Sequence, residues 1–65
     1  MIHYLYNIDF RYEFDIQPGI VEITQYNIGQ DTPLFITKPI VERARVIYDD
    51  LVKKGYKKTP NEVII

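Results

Sequence analysis

The sequence predicts an α+β domain: a small antiparallel sheet of three or four strands, followed by one C-terminal helix packed on one face. Three observations carry that expectation. Residues 2–16, IHYLYNIDFRYEFDI, place an apolar side chain at every even position, and a period of two marks a strand with one apolar and one polar face. Gln17-Pro18-Gly19-Ile20 is a tight-turn sequence, with proline presetting the first central position and glycine supplying a positive φ at the second. Between Pro39 and Gly55 the apolar residues switch to helical spacing, and proline at the start with glycine at the end is the asymmetry of helix termini.

The first ribbon is too long to run straight. At ~3.3 Å per residue, residues 2–16 span roughly 50 Å, whereas a globule of this length has a diameter of roughly 30 Å. Two arrangements accommodate it. One is a continuous strand, bent by a bulge, with its far end packed against another molecule. The other is a hairpin with a three-residue loop centred on Ile8; a two-residue loop is disfavoured because it sets apolar even residues opposite charged odd ones. The three-residue loop pairs Tyr6 with Phe10, Tyr4 with Tyr12 and Ile2 with Phe14, and on the other face it brings His3 to Glu13.

The Pro18-Gly19 turn sets Ile16 opposite Val21 and Phe14 opposite Ile23, so the apolar face continues into a second strand over residues 20–28. The reverse of that strand carries Ile20, Glu22, Thr24, Tyr26 and Ile28, an unusually apolar set for a face in water. Residues 29–33 read as a loop and residues 34–37 as a short third strand. The helix covers residues 39–54, with Ile40, Ala44, Ile47, Tyr48 and Leu51 turned to the sheet and Val41 and Val52 flanking. On its wet side Arg45 pairs with Asp49, Asp49 with Lys53, and Asp50 with Lys54 at i,i+4 spacing. Residues 57–65 read as a tail, with Val63-Ile64-Ile65 a terminal strand or a sticky end.

The totals narrow the classes of function. Sixty-five residues make one domain, near the lower size limit for a core that holds without disulfides, metals or a partner. Cysteine, serine and tryptophan are absent, and without cysteine there is no disulfide framework, no thiolate zinc site and no cysteine nucleophile. No apolar run approaches the ~20 residues of a membrane helix, and the N-terminus lacks a signal-peptide pattern. A cytoplasmic protein without a membrane partner is expected. The net charge of −1 hides a split: one arginine stands against five acids up to Thr37, whereas seven bases stand against four acids from Lys38 onward. The basic excess of the second half is small for a nucleic-acid binder.

Few residues point to chemistry. His3 is the single histidine, but no second ligand, nucleophile or acid/base partner accompanies it. Asp9, Glu13 and Asp15 fall at strand spacing and read as a charged face that discourages edge-to-edge association. No cofactor or metal site is indicated, and the expectation is a non-enzymatic protein. Aromatic strands that stack on RNA bases are interleaved with Lys and Arg, whereas here the alternating residues are mostly acidic.

The function expected from these residues is that of a protein-interaction module, a small regulator, inhibitor or assembly subunit that self-associates as a dimer. It binds through an acidic, Tyr-rich sheet surface, because tyrosine buries a large area and keeps a polar tip. The contact residues expected are Ile20, Tyr26 and Ile28 from the outer face of the second strand, with Arg11 and Glu13 at the rim. The alternative is a nucleic-acid-binding accessory domain using Lys53, Lys54, Tyr56, Lys57 and Lys58 around the helix C-terminus. Cations at that end also complement the helix dipole, with no ligand required.

Overall fold

A computed structural model describes residues 2–58. The elements follow in the order β1 (Ile2–Tyr6), β2 (Phe10–Gln17), β3 (Ile20–Asn27), β4 (Pro33–Thr37), α1 (Val41–Lys53) and β5 (Lys57–Lys58). All neighbouring strands are antiparallel, in the sheet order β4-β3-β2-β1-β5. The class is α+β as expected, but among the described residues the sheet has five strands rather than three or four, and α1 is followed by β5 rather than closing the series. The reading of Val63-Ile64-Ile65 as a terminal strand lies outside the described residues.

The long ribbon is a hairpin. With principal extents of 29 × 25 × 23 Å, the domain has no room for a continuous strand over residues 2–16, and the chain reverses between Tyr6 and Phe10. The expected three-residue loop is corrected. Tyr6 pairs with Arg11, Leu5 with Tyr12, Tyr4 with Glu13, His3 with Phe14 and Ile2 with Asp15, so four residues, 7–10, separate the last pair. Asn7 holds this loop: its side-chain Oδ1 accepts from the N–H groups of Asp9 and Phe10, both at 2.8 Å, and its own N–H donates to the Phe10 carbonyl. An Asn side chain closing its own backbone turn is a recurrent local solution.

One extra loop residue inverts the parity of β1, because a shift of one exchanges the two faces of a strand. Leu5, not its even-numbered neighbours, is the fully buried residue of β1, at 0% exposure. Ile2, Tyr4 and Tyr6 share the opposite face with Asp15, Glu13 and Arg11. His3 accordingly lies across from Phe14 on the helix side and does not meet Glu13.

The Pro18-Gly19 turn matches its sequence. Gly19 has φ +79°, and the strands leave it with Ile16 opposite Val21 and Phe14 opposite Ile23. These residues build the core: Leu5, Phe14, Val21 and Ile23 from the sheet close against Ala44 and Leu51 from α1, with Tyr12, Ile47, Tyr48 and Tyr56 packed around them. The Phe14 and Tyr48 rings meet edge to face at 5.3 Å, a favoured aromatic geometry.

The helix begins later than its sequence suggests. Ile40 is the N-cap, in extended conformation and without a side-chain cap, and it is exposed rather than part of the buried stripe. Pro39 lies outside α1, where its carbonyl accepts from the Val21 N–H at 3.0 Å. At the other end Gly55 takes φ +101°, its N–H bonds the Val52 carbonyl, and the Tyr56 N–H bonds the Leu51 carbonyl. This paired closure of the last carbonyls is the Schellman motif, which needs a left-handed residue. It turns Tyr56 inward and launches β5 along β1, with Leu5 paired to Lys58 and Tyr6 to Lys57. The i,i+4 ion pairs expected along α1 are not closed; among the described residues the ion pair is Arg11–Glu13.

Candidate interaction surface

Because α1 covers one face of the sheet, the other is open among the described residues, and strand register decides what stands on it. Cross-strand partners share a face. The row nearest the Asn7 loop crosses all five strands as Lys57, Tyr6, Arg11, Tyr26 and Pro33. The next row runs Tyr4, Glu13, Thr24 and Ile36, and the third runs Ile2, Asp15 and Glu22. Thr24 is the buried residue of this open face, lying between Glu13 and Ile36.

Arg11 organises the first two rows. Its guanidinium carbon sits 4.0 Å from the Tyr26 ring centroid. Its Nη1 donates to Glu13 Oε2 at 2.6 Å, and its Nη2 donates to the Gln30 carbonyl at 3.2 Å. A planar cation can stack on a ring and fork to oxygen acceptors at the same time, so the side chain is held flat across the sheet. The expected contact residues Arg11, Glu13 and Tyr26 thus form one cluster. Ile20 faces the same way but lies at the far end of β3, across from Gln17 and bridged to Ile40. Ile28 falls just past β3, exposed, with its N–H donating to the Asp9 carbonyl at 2.9 Å.

The third row has the opposite electrostatic character. Asp15 and Glu22 are direct cross-strand partners, a like-charge placement that costs stability. The Gln17 amide Nε2 lies between them, donating to Asp15 Oδ2 at 3.2 Å and to Glu22 Oε1 at 3.3 Å. Neither carboxylate has a cation within ion-pair distance among the described residues. No group of three or more His, Cys, Asp or Glu side chains among these residues is arranged to hold a metal ion.

Tyr4 and Tyr6, half-buried on the open face, are the surface residues that sequence reasoning missed, because they were assigned to the core with the other even positions. The one local cue is Asn7, whose side chain closes the turn on the Asp9 and Phe10 N–H groups.

The fold separates Tyr56 from the lysines around it and turns Lys57 and Lys58 to opposite faces of the sheet. Lys53, Lys54, Lys57 and Lys58 are exposed, but the Tyr56 ring meets Tyr12 edge to face at 5.4 Å and is not presented with them. Burial, and then the neighbouring Tyr56 phenol, push the Tyr12 phenol above its ordinary pKa.

No protein family, curated protein or solved structure matches this chain. No described helix is long and apolar enough to cross a membrane.

Proposed function

We propose that this chain is a non-enzymatic protein-interaction module whose docking surface is the open face of the sheet. The observation that carries the proposal is the row Tyr6, Arg11, Tyr26, continued by Tyr4 and Glu13: aromatic area and a fixed guanidinium on an uncovered sheet. Tyr and Arg are the side chains most often found at the energetic centres of protein interfaces. Arg11 is already oriented by Tyr26, Glu13 and Gln30, which lowers the ordering cost on binding. The Asp15 and Glu22 carboxylates at the other end suit a partner segment carrying lysine or arginine, whose charge would relieve their mutual repulsion.

Affinity capture with the full chain and two variants tests the proposal. A partner retained by the native chain should be lost with Tyr26→Lys, at the centre of the open face, and kept with Val46→Lys, an exposed position on α1. Loss with Val46→Lys and retention with Tyr26→Lys would overturn it.

A nucleic-acid contact is the second reading, favoured by one observation: Lys57 heads the Tyr6, Arg11, Tyr26 row, so cations and aromatics interleave there. Lys58, across from Leu5 on the helix face, and Lys53 and Lys54 at the end of α1 would contact phosphates only if the nucleic-acid strand wrapped around the β5 edge. A labelled single-stranded oligonucleotide should then bind at low salt and dissociate as salt rises; no binding at low salt removes this reading.

A further inference from the structure

The two edges of the sheet are protected to very different degrees. β5, at one edge, shows two residues among those described, both lysine, and lysine on an edge strand is a recognised device against edge-to-edge pairing. β4, at the other edge, is five residues long and carries no charge. Its Leu34, Phe35 and Ile36 are 51%, 58% and 49% exposed. Phe35 shares the helix face with Gln25, and Ile36 shares the open face with Thr24, so this edge is apolar on both sides of the sheet. One side of β4 pairs with β3; the other presents its main-chain N–H and C=O groups to solvent. Pro33, which lacks an N–H, is confined to the first position, and the register shift in the β3 pairing falls before Phe35. Phe35 to Thr37 are therefore the regular half of this edge, and Pro33 and Leu34 carry its irregularity.

We infer that β4 is a self-association edge, pairing antiparallel with β4 of a second copy of this chain about a two-fold axis near Phe35. The charges flanking the strand select that occupant and that direction. Asp31 precedes β4 and Lys38 follows it, with no charged residue between them. Antiparallel self-pairing about Phe35 sets Phe35–Thr37 of each copy along the irregular Pro33–Phe35 half of the other, and brings Lys38 to the Asp31–Thr32 end of the second copy's strand at both ends of the ribbon. Parallel pairing instead sets Asp31 beside Asp31 and Lys38 beside Lys38. The same register apposes the two Phe35 rings on the helix face, and a two-fold contact of this kind is closed and self-complementary. Strand addition supplies the main-chain hydrogen bonds that an edge lacks. The interface is small, so the dimer is concentration-dependent. The open faces of the two copies then form one continuous surface, and the inference does not depend on what binds there.

Light scattering on the full chain over a wide concentration range tests this. The mass should rise toward twice the 7.7 kDa of the chain. Phe35→Lys, which sets two ammonium groups against each other at the axis, should hold it monomeric with an unchanged circular dichroism spectrum. Ile36→Lys is the second variant should that one fail to fold. Tyr26→Lys should leave the dimer intact, which separates this inference from the open-face proposal. Since the chain has no cysteine, Phe35→Cys should form disulfide-linked dimers under mild oxidation faster than Ile8→Cys, an exposed position in the loop between β1 and β2. A mass that stays monomeric at every concentration, a dimer indifferent to both lysine variants, or equal cross-linking rates would overturn the inference.

Discussion

The two faces of the sheet draw on similar residues and put them to different use. Under α1, Leu5, Phe14, Val21 and Ile23 close against Ala44 and Leu51. On the open side the apolar share falls mainly to Tyr4, Tyr6, Tyr26, Ile2 and Ile36, interspersed with Arg11, Glu13, Asp15 and Glu22. Aliphatic chains satisfy a dry core, whereas tyrosines tolerate water through their hydroxyls and offer area to a partner. Neighbours in β1 show that hydrophobicity alone does not decide the side: Leu5 is buried and Tyr4 and Tyr6 are turned away from it, a division set by the length of the loop at Asn7.

The comparison is most easily broken at Leu5 and Tyr4. Leu5→Ala removes a fully buried side chain and should cost about 2–5 kcal/mol in urea unfolding, while Tyr4→Ala on the open face should cost about 1 kcal/mol. The reverse order would mean that the even residues of β1 face the core. A smaller effect is expected at the loop that sets the parity. Asn7→Ala deletes the two 2.8 Å bonds to the Asp9 and Phe10 N–H groups and should cost about 1 kcal/mol, with slowed amide exchange lost first at Asp9 and Phe10. No change in either stability or exchange would show that the loop does not depend on this side chain.

The helix and the second turn were legible in the sequence; the first hairpin was not. Pro18-Gly19 declares its own geometry, since glycine alone supplies the positive φ at no steric cost, and Ala44, Ile47, Tyr48 and Leu51 keep a helical stripe that has no strand alternative. Residues 2–16 alternate without interruption, so nothing in the pattern marks where the parity changes. Ile8 and Phe10 continue the alternation through the loop, and the Asn7 side chain is the one local cue. β5 was illegible for another reason: Lys57 and Lys58 enter the sheet through main-chain pairing with β1 after the Gly55 turn, not through any apolar pattern. Of the open face, Arg11, Glu13 and Tyr26 stand where the sequence places them because β2 and β3 keep the expected parity, whereas Tyr4 and Tyr6 change sides with β1.

Two finer measurements sharpen the contrast. A double-mutant cycle on Arg11→Ala and Glu13→Ala should return about 0.2–1 kcal/mol, since the pair is partly exposed and solvent screens it; a larger coupling would make this pair a structural device rather than a prepared contact. The smallest effect is confined to alkaline solution. The raised pKa of Tyr12 means that the folded state holds its proton more tightly than the unfolded chain does. Its contribution to stability is therefore complete below pH 10.0, the ordinary value, and is lost as pH rises from there through the folded pKa. Thermal melts should fall more steeply above that pH for the native chain than for Tyr12→Phe, and equal slopes would show that this phenol is not buried against Tyr56.

The proposed docking surface stands on the parity of β1, and nuclear Overhauser contacts from its side chains measure that parity directly. Leu5 should show contacts to Ala44 and Leu51 of α1, while the Tyr4 and Tyr6 rings show contacts to Glu13 and Arg11 and none to the helix. Contacts from Tyr4 or Tyr6 to Ala44 or Leu51 would return those tyrosines to the core and remove the surface on which the proposed function rests.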